Sequence, residues 1–96
     1  MFGTLRFPAN NMAKVKIPLV TLVETTREED GCIAYDVAED MFDPGLIRCS
    51  EIWPDHSSLQ KHLVAAHIAP WREACANLGL IERSFTAFDG FDAKSI

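Results

Sequence analysis

Apolar side chains recur at intervals of three and four between Met12 and Val23, at Met12, Val15, Leu19, Leu22 and Val23, with Thr26 continuing the row. That spacing lines one side of an α-helix. Two later stretches alternate instead. Ile33, Tyr35 and Val37 fall on one side of an extended chain and Cys32, Ala34 and Asp36 on the other. Ile47, Cys49, Glu51 and Trp53 oppose Leu46, Arg48, Ser50 and Ile52 in the same way. Period-two alternation predicts strands over 32–39 and 46–53. The β-formers of 2–7, stopped by Pro8, predict a first strand, and 81–88 a last one.

Between the third and fourth strands, Asp55 is placed to cap a helix running to about Ala66, with Leu59, His62, Leu63 and Ala66 inward. Pro70 suits the first position of a further helical segment with Trp71, Ala74, Cys75 and Leu78 as its buried stripe. Gly31 and Gly79 fit left-handed positions that end helices, and Asp43-Pro44-Gly45 a tight turn. Asn10 or Asn11 can cap the first helix. Pro18 should kink it or loosen its first half, and Glu28-Glu29-Asp30 should fray its last turn.

The order β-α-β-β-α-β specifies an α+β, ferredoxin-like sandwich: an antiparallel sheet with helices on one face. Apolar residues on both sides of the second and third strands leave a second face to cover. Pairing of two sheets in a homodimer covers it most simply. With 96 residues the chain holds one core, and a single domain over 1–96 is expected, its core about 2–89 and its tail 90–96.

Composition narrows the function. A net charge of −5, with nine scattered Lys and Arg, argues against nucleic acid as a partner. No apolar run approaches the roughly 20 residues of a membrane span, and no signal-like leader is evident, so a cytoplasmic protein without membrane association is expected. Cys32, Cys49 and Cys75 are widely spaced and fit reduced core thiols rather than a disulfide framework or a CxxC motif. Cys75 has nothing evident to activate it as a nucleophile.

His62, on the apolar stripe of the second helix, is the leading candidate for a general base, since neutral imidazole works near neutral pH. His67, at the broken helix end, is the second catalytic candidate, its bland alternative being a cap on free carbonyls. Their separation of five places them far apart around one helix, which disfavours a metal pair, and no metal site is expected. Trp53, Trp71 and Tyr35 are candidate substrate-binding residues or plain packing residues. Glu51, sharing a face with Trp53, needs a buried partner, with Arg48, Arg83 or a histidine as candidates. His56, Arg27 and Arg72 read as surface groups.

The ordered set Thr26-Arg-Glu-Glu-Asp-Gly31-Cys-Ile-Ala-Tyr35, Glu51-Ile-Trp53, Asp55 and His62-Leu-Val-Ala-Ala-His67 resembles the antibiotic biosynthesis monooxygenase family over about 2–89. The resemblance implies a dimeric α+β barrel that oxidises small aromatic or quinol-type compounds with molecular oxygen and without cofactor, metal or flavin. The substrate would then do the redox work. A deprotonated phenol is electron-rich enough to reduce oxygen, and the protein supplies a base, a donor for developing charge and a dry pocket. The haem-degrading branch is disfavoured: 2–7 holds no Asn, His62 stands where that branch has Trp, and its His position falls near Arg72. The alternative is a relative without oxygenase chemistry, either a small-molecule isomerase using the same histidines or a ligand-binding module.

Overall fold

Residues 1–90 and 94–96 are described by the structure, a computed structural model. Strand β1 (Phe2–Arg6) leads through a 3-10 turn at Ala9–Asn11 into helix α1 (Met12–Glu29). Strands β2 (Ala34–Glu39) and β3 (Leu46–Ile52) form a hairpin. Helices α2 (His56–Leu63) and α3 (Ile68–Asn77) follow, and β4 (Glu82–Thr86) closes the sheet. All strand pairs are antiparallel in the order β2-β3-β1-β4, which makes this the ferredoxin-like α+β fold.

The strand register sorts the side chains as alternation predicts. Leu5 pairs with Ile47 and with Arg83, Gly3 with Cys49 and with Phe85, Val37 with Cys49, and Tyr35 with Glu51. These residues face the helices. The row Met12, Val15, Leu19, Leu22, Val23 and Thr26 is buried against them, with Phe7, Val15, Ile47 and Thr26 sealed from solvent.

Helix α1 runs through Pro18 as one α-helix, without the loosened first half that the proline suggested. Both flanks of Pro18 present buried residues to the sheet, and that packing holds the helix across the missing hydrogen bond. The last turn of α1 is not frayed: the Asp30 amide closes on the Thr26 carbonyl at 3.1 Å and Gly31 takes the left-handed conformation at φ 71°. Asn11 occupies the cap position without a side-chain cap, because its Nδ2 donates instead to the Leu78 carbonyl at 2.8 Å, pinning the start of α1 to the end of α3.

The second helical region breaks earlier than expected. Asp55 caps α2 as predicted, accepting from the Ser58 amide at 2.7 Å, but α2 stops at Leu63, so Ala66 lies outside it and is exposed. Pro70 is the third rather than the first residue of α3. Cys75 is buried and Trp71, Ala74 and Leu78 are half-buried, so the stripe stands. The predicted last strand shortens to Glu82–Thr86, and part of the expected tail, 91–93, lies outside the described residues. The three cysteines are free thiols, two of them buried. Among the described residues no helix is long and apolar enough to cross a membrane.

Candidate functional site

The break between α2 and α3 decides the geometry of the histidines. On one continuous helix, His62 and His67 would point apart. Here the chain reverses through 64–67, the two rings come to 6.1 Å centroid to centroid, and both meet the same carboxylate. His62 Nδ1 lies 2.6 Å and His67 Nε2 2.9 Å from Oδ2 of Asp30, the residue that closes α1. The His62 contact is a hydrogen bond, and since a carboxylate oxygen accepts, the proton sits on Nδ1; the His67 contact is an ion-pair approach. Thr26 Oγ1 stands 3.3 Å from the same His67 nitrogen.

The trio is buried, with side-chain exposures of 7% for Asp30, 5% for His62 and 14% for His67. A buried carboxylate is costly without partners, and the His62 N–H and the adjacent His67 ring supply them. Asp30 escaped sequence reasoning because an acidic residue at a helix end reads as a solvated charge. The available signal was Gly31, which turns the chain and leaves Asp30 at the base of the sheet.

With its proton on Nδ1, His62 presents Nε2 as an acceptor. That nitrogen has no protein partner among the described residues and is not sealed from solvent. His62 lines a cavity of about 400 Å³ between sheet and helices. Its walls are mostly apolar, from Leu5, Leu19, Leu22, Val37, Ile68 and Leu80. Tyr35, Glu51 and Trp71 also line it, so three of the four candidate substrate-binding residues share the cavity with His62.

Trp53 and His67 do not line it. Trp53 lies behind His62, with ring centroids 4.8 Å apart, and its Nε1 donates to Glu51 Oε1 at 3.0 Å. Thus the partner of Glu51 is Trp53, not one of the basic residues that its burial suggested. His67 reaches the site only through Asp30. Arg72 departs from its surface reading: though exposed, it borders the cavity and donates from Nη2 to the Leu63 carbonyl at 3.2 Å, bridging the broken helices. His56 is exposed, as expected, and sits against Gln60.

Burial sets the electrostatics of the lining. It pushes the Glu51 carboxyl above the usual carboxylate range, against the opposing pull of the Trp53 hydrogen bond and of nearby His62. Burial, and after it the charge of Glu51, raise the Tyr35 phenol far beyond neutral pH, so it stays protonated as a donor. Burial likewise pushes the Cys49 thiol up to about 12 and the Cys75 thiol up to about 11, which removes both as nucleophiles.

Asp30, His62 and His67 place one ligand atom each within 4.8 Å of one another, a donor set of the two-histidine, one-carboxylate type. Oδ2 of Asp30 bridges the two nitrogens at hydrogen-bonding distance. An ion on both nitrogens would need that oxygen to move, so the geometry as it stands is that of a hydrogen-bonded unit.

The family model for antibiotic biosynthesis monooxygenases matches residues 3–74. The chain belongs to this family. Among solved structures, a Deinococcus radiodurans protein provisionally named an antibiotic biosynthesis monooxygenase is 30% identical, with a TM-score of 0.91 over 99% of this chain and 94% of its own. A Mycobacterium tuberculosis protein at 22% identity gives a TM-score of 0.83, covering 98% of this chain and 95% of its own. A Caulobacter crescentus protein at 14% gives 0.88, covering 95% and 87%, and these last two likenesses speak to fold alone. Comparison with curated proteins finds none that matches.

Proposed function

We propose that this family member is a homodimeric, cofactor-independent monooxygenase that oxidises a small phenol or quinol with molecular oxygen, using His62 as its base. The observation that carries the reading is His62 itself: Nδ1–H is fixed on buried Asp30 at 2.6 Å while the ring lines an apolar cavity of about 400 Å³. A base oriented by a carboxylate, next to a water-poor pocket, is what deprotonation of a phenol requires.

His62 Nε2 takes the phenolic proton. The phenolate passes one electron to oxygen, and the resulting radical pair joins through a new C–O bond at a hydrogen-bearing ring carbon ortho or para to the phenolate oxygen. The peroxide recovers the proton held on His62. Loss of water, with hydrogen from that carbon and hydroxide from the peroxide, leaves a quinone. One oxygen atom enters the product and the other leaves as water, so no outside reductant is needed. Tyr35, which lines the same cavity, is the donor available to developing negative charge.

Oxygen uptake with a hydroquinone or a polycyclic phenol tests the reading. Wild-type protein should consume oxygen and form, in equal amounts, a quinone that carries one added oxygen atom, without releasing hydrogen peroxide. His62→Ala should lower turnover on the order of 100-fold, the worth of a positioned base. No uptake across such a panel, alongside tight binding or isomerisation of a ligand, would replace this reading with a binding or isomerase role for the same cavity.

A further inference from the structure

Arg83, exposed on β4, contributes a strongly basic side chain from the sheet to the lining of the cavity. It belongs to the helix-facing row of β4, paired across β1 with Leu5, a position whose neighbours are apolar. Charges on the covered face of an edge strand are sometimes placed there to discourage edge-to-edge association. Here the side chain is specifically supported. Its guanidinium carbon lies 4.4 Å from the centroid of the Phe85 ring, a cation–π distance. Phe85 in turn lies over Gly3, where even a Cβ would come within 2.2 Å of the ring. A glycine in the central strand makes room for the aromatic ring, and the ring props the cation at the cavity.

Among the described residues no carboxylate lies within ion-pair distance of Arg83. Glu51 is the acidic residue of the lining, and its carboxylate already accepts from Trp53. Arg72 adds a second guanidinium to the same lining. The protein as a whole carries −5, so a cavity with two cations and one carboxylate runs against the charge of the molecule.

We propose that the cavity takes an organic anion, an apolar or aromatic body bearing a carboxylate, with Arg83 as the anchor for the charged group. Guanidinium suits this task because its planar fork matches a carboxylate in two parallel hydrogen bonds. The apolar walls hold the ring, Arg83 fixes its orientation, and the opposite end of the ring meets His62. The proposal rests on the same cavity as the oxygenase reading and names its substrate class.

Two probes of matched shape test it by binding alone. Titration of 2-naphthoate and of 2-naphthamide, followed by tryptophan fluorescence and by calorimetry, compares an anion with its neutral counterpart. Wild-type protein should bind naphthoate at least tenfold more tightly. Arg83→Gln should abolish that preference by weakening naphthoate about tenfold with naphthamide unchanged, Arg83→Lys should retain part of it, and Arg72→Gln should weaken naphthoate less than Arg83→Gln. Equal binding of the two probes by wild type would overturn the proposal. So would an Arg83→Gln protein that keeps its naphthoate affinity, including one that self-associates while doing so, which would assign Arg83 to edge protection. Since neither probe turns over, naphthoate selectivity without oxygen uptake on any phenol would leave the anion site standing and remove only the oxygenase chemistry.

Discussion

Asp30 holds two histidines with one oxygen, at 2.6 and 2.9 Å, and the two contacts are not equivalent. The first orients a ring that lines the cavity. The second braces the carboxylate from behind. Asp30→Asn keeps the shape but cannot supply the charge that holds the His62 N–H, so it should lower kcat about 10- to 100-fold with little change in KM. His67→Ala leaves the Asp30–His62 bond in place and should cost less. Steady-state kinetics of the two variants on one phenol checks the ranking, and equal losses would make His67 part of the chemistry. Glu51 makes a different prediction. Its folded pKa is raised by burial, so the group destabilises the fold as pH climbs from the ordinary Glu value through the folded one. Glu51→Gln retains an acceptor for Trp53 without the charge. Its melting temperature should therefore gain on wild type as pH rises from 4 to 8, and a gap constant with pH would show that the carboxylate carries no such cost.

At the scale of elements, α1 is the case where local and tertiary preferences conflict. Pro18 has no amide to donate to the Lys14 carbonyl, yet the helix spans it because Val15, Leu19 and Leu22 bury against the sheet. Pro18→Ala restores the donor and should stabilise the protein by about 1–3 kcal/mol, measured by urea unfolding. A loss of stability would mean the ring of Pro18 packs better than the restored bond compensates. Helices α2 and α3 show the reverse case. Pro70 marks a break in the sequence, but the chain breaks before it: ending at Leu63 lets Leu59 and His62 bury on one axis while Ile68 and Cys75 bury on a second. That break, more than any residue, creates the site by turning His67 back toward Asp30.

For the whole molecule, the outer face of the sheet is the open question of assembly. It presents small side chains such as Thr4, Ala38, Ser50 and Ser84 together with charged Asp36 and Arg48, flanked by exposed Phe2 (62%), Ile52 (53%) and Phe88 (66%). A flat face with an apolar margin suits packing against a second copy, which is the basis of the homodimer we propose. Sedimentation at micromolar concentration should give twice the chain mass, and Phe2→Asp should shift it toward monomer. A wild-type monomer would end that part of the reading. The order of elements, the inward row of α1 and the two faces of β2 and β3 were all determined by the chain's own periodicity, because burial on one side of a helix or strand imprints a repeat of fixed length. The carboxylate that orients His62 and the approach of Arg83 to the cavity were decided only by the tertiary structure. Asp30 lies 32 positions from His62, and Arg83 comes from β4, an edge strand that joins the sheet last in the chain. No local repeat records such meetings, since what brings these polar groups together is the packing of the apolar residues around them.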